Sequence, residues 1–367
     1  MYLRSLELLH FKNYPEAVFQ FSEGINCLTG PNGSGKTSVL DAIHYLSLCK
    51  SYFTATDAQN MMRGESLMMI KGIFEKSGKE EEVICHFKAG QKKQMRLNGK
   101  EYSRLADHIG LFPVVMIAPT DHELITGGSE ERRRFIDRII SQVNRTYLEQ
   151  LNGYLRTLEQ RNVLLRNAAG AKMDFETLEV YNQQMAGFAG SIYAERKKFC
   201  EEFEKHFIRF YDLITESSEE TGFLYESQLH ENTPLDLLHS SFQKDCTNQF
   251  TTTGIHKDDL SFSVNGMNVK RYGSQGQQKS VLIALKLAHF NYIYEHKCMK
   301  PIMMFDDLFD RLDDARVEQI IHLVQQHNFG QMFITHTAEY RLDAILNNAG
   351  IDHSFFRIKN GSALIRI

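Results

Sequence analysis

The chain has 367 residues, 42% hydrophobic and 24% charged, which is enough for two domains or for one large head carrying an insertion. These proportions exclude a disordered chain, and a net charge of −4 excludes a surface coated in positive charge, although a local basic patch would still suffice for nucleic acid. No run of about 18 apolar residues occurs, and the opening MYLRSLELLHFKNY lacks a basic region followed by an apolar one, so neither a membrane span nor a secretory signal is expected and the location reads as cytoplasmic.

In chain order, short apolar or alternating segments at residues 3–9, 17–21, 25–29, 67–74, 82–87 and 94–97 predict strands. Asn98-Gly99 and, later, Asn265-Gly266 lie between strand-like runs and predict tight hairpins. Residues 120–233 contain no proline, which marks the middle third as helical. There, Ile136, Ile140, Val143, Tyr147, Leu151, Tyr154, Leu158 and Leu165 recur at helical steps, as do Leu178, Tyr181, Met185, Phe188, Ile192, Phe199, Phe203 and Phe210. A turn at 167–174 between them predicts an antiparallel helical arm. The last third alternates apolar runs at 301–305 and 331–335 with helical stretches at 280–294 and 314–327, an α/β pattern. The six cysteines are scattered with no CxxC motif, so they read as reduced thiols and not as disulfides or zinc ligands.

Chemistry concentrates in three segments. Gly30-Pro31-Asn32-Gly33-Ser34-Gly35-Lys36-Thr37 follows a predicted strand and opens a predicted helix, the context a phosphate-binding P-loop requires. Its glycines let backbone N–H groups converge on the phosphates of ATP, Lys36 reaches the β- and γ-phosphates, and Thr37 is a ligand for Mg²⁺. The apolar run Pro301-Ile-Met-Met-Phe ends in Asp306 and Asp307: Asp306 is the candidate magnesium ligand and Asp307 the candidate base for the attacking water. Ser274-Gln275-Gly276-Gln277, just ahead of a helix, resembles the ABC signature, in which a serine, a glycine and a helix N-terminus bind the γ-phosphate of an ATP held by another subunit. His336, closing the run 331–335, is the candidate switch histidine. The succession P-loop, signature, acidic strand, histidine is the ABC order.

The opening FKNY, the stretch 118–124, the run Arg132-Arg-Arg-Phe-Ile-Asp137, the run 254–260 with His256-Lys-Asp258-Asp259, and the SQGQQ signature together resemble the RecF family across essentially the whole chain. Ser129, Lys257 and Lys279 stand where that family usually has proline, arginine and arginine, and His336 is not one of its regular features. The resemblance implies an α/β ABC-type P-loop ATPase head of residues 1–118 and 222–367, with a mainly helical arm of 119–221 inserted. It also implies slow ATP hydrolysis, an ATP-dependent homodimer around two nucleotides, binding of single-stranded, duplex or gapped DNA, partnership with RecR and RecO, and a role in loading recombinase at gaps. A continuous helix over 134–156 would bring Arg134, Arg138, Arg145 and Arg156 to one face as candidate DNA contacts, with Glu149 and Glu159 on or beside that face. The competing readings are a transporter cassette, an SMC-like clamp and a P-loop kinase of small substrates.

Overall fold

The computed structural model describes residues 1–168, 173–307, 323, 329–359 and 362–366. The expected helix at 314–327 falls almost entirely, and the centre of the expected turn at 167–174 also falls, outside the described residues. The chain forms two compact units: Met1–Asp121 with His289–Ile367, and His122–Ala288. The second unit thus extends well past the expected boundary at 221.

The first unit has two six-stranded sheets. One is antiparallel and is built from Tyr2–Phe11, Tyr14–Gln20, Leu67–Lys76, Lys79–Lys88, Gln94–Leu97 and Lys100–Glu101. In the other, Ile25–Thr29 pairs in parallel with His353–Lys359 on one side and Met332–His336 on the other, followed by Ile302–Phe305 and Val114–Ile117. The strand at 114–117 lies in an apolar run between Pro113 and Pro119, outside the segments whose pattern predicts strands. Helix Lys36–Leu48 packs against strands of both sheets. Its residues from Val39 to Leu48 are all buried, so its sequence carries no solvent face to mark it as amphipathic. Each large aliphatic or aromatic side chain buried in this core contributes about 1.5–3 kcal/mol. Asn98 and Gly99 have φ of 50° and 77°, and Asn265 and Gly266 have 50° and 74°, the left-handed pairs that two-residue hairpins need.

In the second unit, helices Ser129–Val143, Arg145–Asn167 and Phe175–Thr215 pack with a three-stranded sheet of Thr221–Glu226, Asp259–Val264 and Met267–Asn268. This sheet explains the longer unit. Phe223 and Phe262 project from neighbouring strands and join Phe203 and Phe207 of the long helix, with ring centroids 5.7–6.1 Å apart.

The continuous helix expected over 134–156 is interrupted. Asn144, at φ −126° and ψ 102°, ends one helix and caps the next, its side chain accepting a hydrogen bond from the Tyr147 N–H at 3.0 Å. The arginine stripe is therefore split between two helices, because the 100° rule does not carry across the break.

Two features of these cores lead to predictions. Arg161 and Asp245 form an ion pair at 2.8 Å with both side chains 0% exposed, and Asn182 and Thr251 also accept from the guanidinium. Arg161→Met leaves a buried carboxylate without its cation, so we expect about 3–5 kcal/mol of destabilisation in denaturant titrations, and less when Asp245→Leu removes the second charge as well. His108 is fully buried; its Nε2 faces the Leu46 carbonyl at 2.6 Å and its Nδ1 has no hydrogen-bond partner. Burial moves this imidazole down to about 4. A histidine depressed in the folded state stabilises the fold fully above its unfolded value near 6.5 and progressively less as pH falls towards 4. Denaturation midpoints should therefore drop between pH 7 and 4.5, with a shallower drop in His108→Gln.

Candidate nucleotide-binding site

Residues 30–37 turn from the carboxyl end of strand Ile25–Thr29 into helix Lys36–Leu48. Gly30, Gly33 and Gly35 have φ of 147°, 78° and 117°, which residues with a Cβ rarely adopt. At two of them space is decisive as well: a Cβ at Gly30 would lie 2.3 Å from the Ile358 carbonyl oxygen, and one at Gly35 would lie 2.6 Å from Asn13 Nδ2. No side chain caps the helix start at Gly35, so its first amides are available to an anion. Lys36 is buried and its ammonium lies inside the loop, donating to the carbonyls of Gly30 at 2.8 Å and Pro31 at 3.2 Å. The Ser34 hydroxyl oxygen is buried without a partner, and a Cβ at Gly33 would meet nothing within 4 Å. An orphaned hydroxyl and an open glycine beside a lysine in a curled loop fit a polyphosphate chain.

Sequence reasoning missed the braces of this loop and its helix, although all three lie in the FKNY stretch. Asn13 donates to the Ser34 carbonyl at 3.0 Å and accepts from the Ser38 hydroxyl at 2.8 Å, while the Tyr14 hydroxyl donates to the Gly35 carbonyl at 3.1 Å. The preceding Lys12 pairs with the buried Asp41 of the helix. The first hairpin therefore holds the outer side of the loop and the start of the helix.

The acidic strand ends beside it. Asp306 Oδ1 accepts hydrogen bonds from the Thr37 hydroxyl at 2.8 Å and the Thr335 hydroxyl at 2.9 Å. Burial raises the Asp306 carboxyl; the Thr37 and Thr335 hydroxyls oppose that rise, and the neighbouring Asp307 charge adds to it. Thr37 and Asp306 bring together a hydroxyl and a carboxylate oxygen, hard donors of the kind magnesium takes, and a dication would relieve the repulsion between the two carboxylates. Asp307 has a left-handed φ of 45°, and its N–H donates to Thr335 Oγ1 at 2.8 Å. Thr335 was not singled out from the sequence, yet it links the two aspartates. His336 is buried at the end of its strand, and its Nδ1 accepts from the Ala338 N–H at 2.8 Å.

In the second unit, Ser274 precedes helix Gln275–Lys297 and makes a reciprocal cap: the Gln277 N–H donates to Ser274 Oγ at 3.1 Å and the Ser274 N–H donates to Gln277 Oε1 at 2.9 Å. Gln277 also donates to Glu219 at 2.6 Å. The runs 132–137 and 254–260 come together. Arg132 forms a bidentate pair with Asp259 at 2.6 and 2.9 Å, and the buried Arg196 donates to Asp137, to Asp258 and to the Ile255 carbonyl. Of the candidate DNA contacts, the exposed Arg134 pairs with Glu130 and Glu131, the exposed Arg145 pairs with Glu149, and Arg138 is half-buried.

The family profile described as the RecF/RecN/SMC N terminal domain matches residues 2–356. The chain is 45% identical over 361 residues to the DNA replication and repair protein RecF of Flavobacterium johnsoniae, covering 98% of this chain and 100% of that one. It is 44% identical to RecF of Parabacteroides distasonis, covering 98% of each. A solved structure of the recombination mediator protein RecF with ATP, in the RecFOR pathway, superposes with a TM-score of 0.89 at 26% identity over 100% of this chain and 98% of that one. The Smc head domain of Pyrococcus furiosus, at 16% identity and a TM-score of 0.59, shares the fold. With the P-loop, the paired aspartates and the capped signature segment in place, the chain belongs to the RecF family of ABC-type ATPase heads.

Proposed function

We propose that this chain is an ATP-dependent DNA-binding protein of recombinational repair and replication restart, in which slow ATP hydrolysis switches dimerisation and DNA binding. The observation that carries this reading is the contact of Thr37 and Asp306, at 2.8 Å, beside a buried P-loop lysine in a chain of this family. In this reading the loop 30–37 holds the phosphates, and Lys36 exchanges two backbone carbonyls for phosphate oxygens. Thr37 and Asp306 hold Mg²⁺, which when bound neutralises charge on the phosphates. Asp307 takes the proton of the attacking water, and the Asp307 N–H bond to Thr335 fixes where that carboxylate starts. The Ala338 N–H on Nδ1 leaves the ring proton of neutral His336 on Nε2, the tautomer that can donate to a γ-phosphate oxygen.

Arg134, Arg138 and Arg145 contact DNA phosphates from two helices, and Arg134 and Arg145 exchange carboxylates for phosphates as they do so. RecR and RecO are the proposed partners, on the strength of the pathway named for the ATP-bound relative, and the proposed location is the cytoplasm. Among the described residues no helix is long and apolar enough to cross a membrane; the inserted helical arm and the Asp306-Asp307 pair are what count against a transporter cassette. The longest helix, at 41 residues, reaches roughly 60 Å, short of the span of an SMC-like clamp.

Lys36→Ala should lose most of its affinity for ATP, whereas Asp307→Asn should bind ATP normally and hydrolyse it at least about tenfold more slowly. Equilibrium nucleotide binding beside single-turnover hydrolysis separates the two, and undiminished turnover in Asp307→Asn would remove its role as base.

Assembly provides the second test. Ser274 and Gly276 are proposed to meet the γ-phosphate bound by the partner copy, so two-fold symmetry closes a dimer around two ATP molecules. Ser274→Arg should bind ATP yet neither dimerise nor hydrolyse it. Mixing Ser274→Arg with Lys36→Ala confines both lesions to one composite site, and partial ATPase activity should return. Full activity from a Ser274→Arg monomer is the outcome that excludes use of the signature in trans.

A further inference from the structure

Of the five parallel strands among the described residues, Ile25–Thr29, Ile302–Phe305 and Met332–His336 carry the nucleotide-site residues at or beyond their carboxyl ends, and Val114–Ile117 runs parallel beside Ile302–Phe305. A strand of five residues spans roughly 16 Å. Beyond the opposite, amino ends lies a separate pocket of about 680 Å³, lined in part by Glu23, Leu111, Lys300 and Gln331, each of which sits one to three residues ahead of one of those strands.

Among the described residues, three lysines line this pocket, Lys76, Lys297 and Lys300, against a single acidic one, Glu23. Lys76 donates to the Leu111 carbonyl at 3.0 Å and lies 5.1 Å from the Phe112 ring centroid; Lys300 lies 6.0 Å from that of Tyr294. Among the described residues, none of the three has a carboxylate within 4.0 Å. The floor offers no neutralisation either. Gln331 is 1% exposed, its amide donating to the carbonyls of Leu3 at 2.7 Å and Ser22 at 2.8 Å while its oxygen accepts from the Leu3 N–H at 2.7 Å. Burial and the Lys76 charge both lower the Lys297 amine, as expected of a cation without a counter-charge.

We propose that this pocket is a second anion site, distinct from the P-loop, for a small phosphate-bearing polyanion such as a polyphosphate. Its volume falls within the range of small-molecule sites, roughly 300–1,000 Å³. The side-chain cations are all lysines, compact charges with rotatable donors that suit tetrahedral phosphate, whereas planar carboxylates favour the arginine fork, and among the described residues no arginine lines the pocket. A DNA duplex calls instead for a continuous basic stripe tracking the backbone.

The test is calorimetric titration of tripolyphosphate into the full chain carrying Lys36→Ala, which weakens the competing P-loop. Saturable binding is expected. Adding Lys297→Gln and Lys300→Gln should weaken it about tenfold or more and reduce its salt dependence. Glu23→Gln, which removes the one opposing charge, should tighten it severalfold and serves as the test should the lysine variant fail to fold. No tripolyphosphate binding, or binding indifferent to all these substitutions, overturns the proposal. So does lysine-dependent capture of an octaglutamate peptide or a short oligothymidylate without capture of tripolyphosphate, which would assign the pocket to a macromolecule. Because the readout involves no ATP hydrolysis, its result is independent of the Asp307 assignment.

Discussion

A single buried oxygen organises the nucleotide-site end of the first unit: Asp306 Oδ1, which accepts from Thr37 at the start of one helix and from Thr335 on the neighbouring strand. Each bond ties together segments far apart in sequence, and each exists only because strand Met332–His336 lies between Ile25–Thr29 and Ile302–Phe305 in a parallel sheet. A carboxylate at this depth is costly unless hydrogen-bonded, and even with two hydroxyls the burial raises it. The same Thr335 oxygen receives the Asp307 N–H, so the backbone of the second aspartate is fixed in a left-handed conformation by the group that supports the first. Positions of the phosphate loop, the metal-ligand candidates and the base candidate are thus one mechanical problem with one solution.

The loop is also held from its outer side. Asn13 and Tyr14 bind the carbonyls of Ser34 and Gly35 and so hold the turn that presents the helix start to an anion. Gly35 is needed there for two reasons at once: its positive φ, and the 2.6–2.7 Å separating its missing Cβ from Asn13 and Tyr14. Preorganisation of this kind lowers the ordering cost of binding a phosphate chain.

In the second unit, the corresponding constraint is electrostatic. Arg196 and Arg161 are fully buried and each is met by carboxylates and neutral acceptors from distant parts of the chain, while Arg132 grips Asp259 with both prongs. Such pairs contribute little net free energy relative to apolar packing, but they tolerate few alternative arrangements, since any misregister strands a buried charge. Arg132 ties the short sheet to the helices through Asp259, Arg196 through Asp258 just ahead of the same strand, and Arg161 ties in helix Phe242–Asn248 through Asp245, in keeping with the unit His122–Ala288.

Periodicity and turn chemistry in the sequence determined the strands of the first hairpin, the Asn-Gly turns, the helical middle third and the phosphate loop with its flanking strand and helix, because each depends on residues close together in the chain. The motif order also determined the family. Only the tertiary structure decided what depends on long-range pairing. Val114–Ile117 became a parallel strand by lying beside Ile302–Phe305, Thr335 became a link between two aspartates, and the RRRFID and HKDDL runs became partners in ion pairs 59 to 127 residues long in sequence. Asn144 shows the limit from the other direction: the apolar period runs on through it, but a capping side chain ends one helix and starts another, so helical spacing no longer relates Arg145 to Arg134 and Arg138. Local pattern specifies which element forms; side-chain neighbours across the fold specify where it stops and what its polar groups touch.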